Sequence, residues 1–184
     1  MNAMDLHGFR SARYTATPFP DYAFVPGHNA HPTADPSGHS ARQVPPSSQR
    51  LTQNNWFDVN DYLFGCDLYN HGFWWEAHEA WERVWLARQP GDDTDCYLRA
   101  LIQAANGLLK LRMQRAKAAD RLSNAVGDLL AEADLTYTHY MGLNIAPWFA
   151  NYKNYVRKRG DHATLPLLRL LPPPTPIPQR TPWL

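Results

Sequence analysis

The chain has 184 residues, enough for one domain with a substantial core and too few for two. Hydrophobic residues make up 44% and the formal net charge is +1, which excludes a highly charged disordered chain and lacks the electrostatic footprint of a nucleic-acid or anionic-membrane binder. No stretch reaches the roughly 18 apolar residues of a spanning helix, and residues 1–14 lack the apolar run of a signal peptide. The two cysteines, Cys66 and Cys96, are too few for a disulfide framework, so the expected setting is the cytoplasm with two inert thiols.

Residues 1–50 hold seven of the sixteen prolines and four of the eight histidines, which rules out a long helix there. The same stretch carries Tyr14, Phe19, Tyr22, Phe24 and Val25, more apolar bulk than a disordered tail usually has. An extended arm is therefore expected to pack its aromatics onto a helical body at 55–160. Five helices follow from period and stop signals, at about 58–70, 73–88, 92–114, 116–134 and 146–158. Asp58 is the expected N-cap of the first, with Gly72 as its stop. Pro90-Gly91 closes the second. The third carries a buried stripe of Leu101, Ala105, Leu108, Leu109 and Arg112. Leu122, Ala125, Val126, Leu129, Leu130 and Ala133 mark one face of the fourth. Trp148, Tyr152, Tyr155 and Val156 mark the inner face of the fifth, with Pro147 allowed in its first turn. Residues 165–171 are apolar enough to dock, and 172–184 read as a polyproline-like tail. No run alternates as a strand does. The expected class is all-α: a small antiparallel helical bundle with proline-rich arms at both ends.

The second helix carries the chemistry. Five of the seven tryptophans fall between Trp56 and Trp85. On a wheel of about 100° per residue, Trp74, Trp81, Trp85 and Glu82 share the side of His78, while Glu76, Ala80 and Arg83 point away toward solvent. Burying the indoles takes His78 and Glu82 inside with them. A buried carboxylate needs a partner, and residues four apart can supply one to each other. Two readings stand. His78 and Glu82 form a satisfied structural pair, or they form a tryptophan-lined site, joined by Glu79, that holds a small ligand or a divalent metal ion. The spacing is neither that of a zinc-binding HExxH helix nor the ExxH of di-iron bundles. His31 and His39 of the arm are candidate further ligands, and Gln103 on the third helix is a candidate hydrogen-bond partner of His78.

The stretch from Tyr62 to Trp85, with Asn70-His-Gly72, the pair Trp74-Trp75, then Glu76-Ala-His-Glu79 and Trp81, resembles the signature of the domain of unknown function 309 family. Leu98-Arg-Ala-Leu-Ile-Gln-Ala-Ala-Asn106 is similar to the family's second block and Tyr140-Met-Gly-Leu-Asn144 to its last. His31-Pro-Thr-Ala-Asp-Pro-Ser-Gly-His39 is similar to an N-terminal extension of longer bacterial members. The resemblance spans about 62–144. It implies a compact helical fold, places Glu76, His78, Glu79 and Gln103 at motif positions, and implies no activity.

The expected function is thus binding of a small ligand or divalent metal around His78, Glu79 and Glu82, with Glu76, Gln103, Trp74, Trp81 and Trp85 contributing to the ligand site and His31 and His39 to the metal. The alternative is a non-catalytic interaction or self-association module, whose partner is a second copy of the chain or another protein. Neither nucleic acid nor membrane is an expected partner.

Overall fold

The computed structural model describes residues 12–41, 47–89, 94–135 and 139–171. The expected tail at 172–184, the Pro90-Gly91 stop and the first residues expected of the third helix, 92–93, lie outside them. Five helices form the body: α1 Asn60–Asn70, α2 Trp74–Leu86, α3 Asp95–Arg112, α4 Ala116–Glu132 and α5 Ile145–Arg157. None of them is long and apolar enough to cross a membrane.

Three expectations need correction. A 3-10 turn, Trp56–Asp58, precedes α1, so Asp58 lies inside that turn and Val59 occupies the N-cap without a side-chain bond. The described residues also contain a two-stranded ladder, β1 His139–Tyr140 and β2 Leu143–Asn144, paired antiparallel. Its strands are too short for alternation to show; the turn makes them. Met141 and Gly142 both have positive φ, 48° and 79°, the geometry of a tight hairpin. A side chain on Gly142 would also collide with the Trp56 ring. Finally, Arg112 does not belong to the buried stripe of α3. It is exposed, with its guanidinium 6.0 Å from the Trp74 ring and one N–H donating to the Gly72 carbonyl at 3.4 Å.

The rest of the α3 stripe, Leu101, Ala105, Leu108 and Leu109, is buried, as are Trp148, Tyr152, Tyr155 and Val156 of α5. The α1–α2 contact depends on a missing side chain. Trp81 of α2 lies against Gly65 of α1, where a Cβ would strike the indole. The indole N–H then donates to the Tyr62 carbonyl at 3.2 Å. Glycine is a poor residue for a helix interior, and here the close approach of a fully buried tryptophan accounts for it.

Chain from both ends closes over this body. Phe24 and Val25 are buried, and Tyr14 and Phe19 pack against the core. Leu165 and Leu168 are buried, and Leu170 bridges to Leu143. Tyr14 ties the two straps together: its hydroxyl donates to the Leu168 carbonyl at 3.0 Å and accepts from the Leu170 N–H at 2.8 Å.

Candidate functional site

The straps dock on three buried polar side chains. Asp67, in α1, accepts from the Tyr14 N–H (2.7 Å), the Thr15 N–H (2.9 Å) and the Thr15 hydroxyl (2.8 Å). Asn70, one turn later, pairs with Leu168 in both directions, at 2.9 and 2.7 Å, as a strand would. Glu76, in the first turn of α2, accepts from the Phe24 N–H at 2.8 Å and meets His39 Nε2 at 3.1 Å, both through Oε1. Short extended segments have few backbone partners of their own, and a carboxylate or amide that stands in for a neighbouring strand satisfies them.

Glu76 overturns the wheel. It was expected in solvent with Ala80, yet its side chain is 4% exposed and Ala80 is buried. The wheel assumed one buried stripe set by the indoles. α2 is covered on two sides: by α1 and α3 on one, and by the arm on the other. The second cover lies far away in sequence, so helix period could not reveal it.

His78 and Glu82 are correspondingly less buried than expected. Their side chains are 22% and 44% exposed. They do approach one another, with His78 Nε2 3.7 Å from Glu82 Oε2 and Nδ1 3.9 Å from Glu79 Oε1. One atom from each of the three lies within 4.8 Å of the others. Loss of water around Glu79 raises its carboxyl above the ordinary range, against the opposing pull of the His78 ring. Trp74 and Trp81 are buried in the core and Trp85 is turned elsewhere: its N–H donates to Asp95 at 2.8 Å, with Arg88 stacked 3.9 Å over the ring. Burial disfavours the charged Asp95 carboxylate, but the bonds from Trp85 and Arg99 and the charge of Arg88 outweigh it and hold the carboxyl below its usual range.

The arm histidines do not join His78. His39 is 5% exposed, between Glu76 and Ser40, whose hydroxyl lies 2.8 Å from Nδ1. A carboxylate only accepts, so Nε2 carries a proton toward Glu76 while Nδ1 faces the Ser40 hydroxyl. His31 packs edge-on against Phe24 and Trp75, and its Nδ1 accepts from the Ala34 N–H at 3.2 Å. That bond leaves the hydrogen on Nε2, so neither ring as placed offers a lone pair to an ion beside His78. Gln103 is half-buried on α3, and no hydrogen bond among the described residues links it to His78, Glu79 or Glu82.

A cavity of about 320 Å³ opens where arm and helix meet. Glu76, Glu79, Ala80, Arg83 and Trp75 of α2 line it, with Phe64 and Leu68 of α1 and Pro18, Phe19, Pro20, Thr33, His39 and Ser40 of the arm. Of the tryptophans expected at a site, Trp74, Trp81 and Trp85 are absent from this lining. Trp75 takes their place.

Residues 62–122 match the family model "Domain of unknown function (DUF309)". Over that segment the chain is similar to the DUF309 family. The match covers α1, α2, α3 and the start of α4, and is shorter than the 62–144 expected from motifs. No curated protein and no solved structure matches the chain. Asp67, Asn70 and Glu76 lie inside the DUF309 segment, whereas the straps they hold lie outside it.

Asp67, Asn70, Ser40, Trp75 and Arg83 were not among the candidate site residues read from sequence. The readable signal was a set of short polar side chains, Asp67 and Asn70, on a helix otherwise rich in apolar residues, where an unpartnered polar group would be costly.

Proposed function

We propose that this protein binds a small organic molecule in the cavity between its N-terminal arm and α2. One observation carries the reading. The second carboxylate oxygen of Glu76, Oε2, is buried beside the cavity and has no hydrogen-bond partner among the described residues. Oε1 is committed to the arm. Leaving a buried acceptor unsatisfied costs about 1–3 kcal/mol. An occupant that offers an N–H or O–H, with a slight relaxation of the wall, removes that cost. The volume lies at the small end of ligand pockets, and the lining mixes aromatic and aliphatic walls with a few polar groups, as such pockets do. Two free thiols, Cys66 and Cys96, fit a reducing cytoplasm as its setting.

The test is a nuclear magnetic resonance screen of the full chain against a mixed set of single-ring aromatic amides, alcohols, amines and acids, read at the Trp75 indole. At least one compound should move that signal. Thr33→Trp, which fills the mouth from an exposed arm position, should abolish the movement. If no compound perturbs Trp75, the pocket reading fails.

A second reading places a divalent ion at His78, Glu79 and Glu82. It is supported by the approach of their ligand atoms and by His78 Nδ1, which has no hydrogen-bond partner among the described residues. Three protein ligands would leave a position open for water or for a ligand group. Elemental analysis of protein purified without chelator should then find near-stoichiometric metal, lost in His78→Ala. Metal-free protein that also fails to bind added zinc or manganese would exclude it.

A further inference from the structure

Resting on that pocket, we infer that its occupant is an organic cation: a small molecule with an amidinium, guanidinium or ammonium head on a flat apolar body.

The polar groups around the cavity are unevenly committed. Its guanidinium and hydroxyl groups already have partners. Arg83 donates to Asp61 at 3.2 Å and to the Glu79 carbonyl at 3.4 Å. The Ser40 hydroxyl is held on His39 Nδ1, and His39 Nε2 on Glu76 Oε1. The Thr33 hydroxyl lies 3.4 Å from His31 Nδ1. Among the described residues Glu76 Oε2 has no hydrogen-bond partner, and the nearest cationic approach to the Glu79 carboxyl is His78 Nδ1 at 3.9 Å. A lining with two uncommitted carboxylate acceptors, whose hydroxyl and guanidinium groups already have partners, favours an occupant rich in donors.

Charge points the same way. The Arg83 guanidinium is the lining's permanent cation, and the Asp61 carboxylate already offsets it. Glu76 and Glu79 lie one turn apart on the same helix, so both can meet one planar head that carries several N–H groups. Beyond them Trp75, Phe19, Phe64, Leu68 and the two prolines offer an apolar channel for a ring, and aromatic faces add attraction for a cation. An anionic ligand would face two carboxylates, with the Arg83 charge already offset by Asp61.

Three probes of one shape but different head groups decide the matter: benzamidine, benzamide and benzoate, titrated calorimetrically into the full chain. Benzamidine should bind at least about tenfold tighter than benzamide, the increment expected of a charge-assisted pair, and benzoate should not bind. Glu79→Gln, a change at a half-exposed position that preserves the fold, should weaken benzamidine about tenfold and leave benzamide unchanged. Glu76→Gln, checked for folding by circular dichroism, should do the same. Thr33→Trp should abolish binding of every probe. If benzamide or benzoate binds as tightly as benzamidine and Thr33→Trp blocks it, the pocket stands and the cation is overturned. If benzamidine binds equally in all the variants, its site is elsewhere and the inference fails. If none of the three binds while another compound of the mixed screen moves Trp75, the cation again fails and the pocket survives.

Discussion

Glu76 and Glu79 differ by one turn of helix and behave differently. Glu76 is spent on structure through one oxygen: it holds the Phe24 N–H and the His39 ring. Glu76→Ala should therefore leave a buried N–H and an imidazole without their acceptor, and destabilise the protein by about 1–3 kcal/mol in urea unfolding. Cleavage within 12–41 by a nonspecific protease should rise in parallel. Glu79 makes a pH prediction. Its folded carboxyl keeps its proton to higher pH than an unfolded glutamate does, because burial disfavours the charge more than His78 relieves it. Folding therefore takes up a proton at this site, and stability falls as pH rises through the folded value. Glu79→Gln should raise the melting temperature at neutral pH by a small amount, and the gain should vanish in acid, below the range where an ordinary glutamate ionises. A gain that persists in acid would refute this account. If an ion binds His78, Glu79 and Glu82, adding it should reverse the neutral-pH gain, since a cation favours the ionised carboxyl.

Helix pairs and the hairpin depend on single glycines. Gly65→Ala pushes a methyl into the Trp81 indole, which is fully buried and bonded to the Tyr62 carbonyl. Overpacking of this kind costs about 1–3 kcal/mol, measurable as a fall in the denaturation midpoint, and the Trp81 emission should change with it. Gly142→Ala combines a left-handed backbone with contact against Trp56, so its cost should exceed the roughly 1–2 kcal/mol of the backbone alone. Asn70→Leu keeps the bulk in α1 but removes the acceptor of the Leu168 N–H and leaves the Leu168 carbonyl with the Tyr14 hydroxyl. Amide exchange at Leu168 and Leu170 should then accelerate selectively, leaving α3 and α4 protected.

The body of the molecule is completed by chain distant from it. Tyr14 bonds to residues 168 and 170, so the two straps support one another as well as the helices. Deleting 12–41 should expose Trp75 and the Asp67 and Glu76 carboxylates. It should shift tryptophan emission to longer wavelength, and abolish any ligand binding, since half of the cavity lining goes with it. An unchanged emission and melting temperature would show that the strap is only an ornament of the body.

Helices were legible because their causes are local. Period, stop residues and apolar stripes lie within a few turns of one another, so α1 to α5 fall within a few residues of where the sequence puts them. The aromatic content of the arm likewise foretold that it packs, and the block from Tyr62 onward foretold the DUF309 match. The orientation of α2 was not legible. Its wheel has apolar groups on most sides, and which side is wet depends on whether Phe19, Phe24 and His39 lie against it. That contact joins residues about fifty positions apart and turns on hydrogen bonds from the arm to Glu76 and Asp67, which no periodicity encodes. Only the tertiary packing could move the candidate pocket from the His78 face to the Glu76 face, because a carboxylate's role is decided by the donors that reach it and not by its own helix.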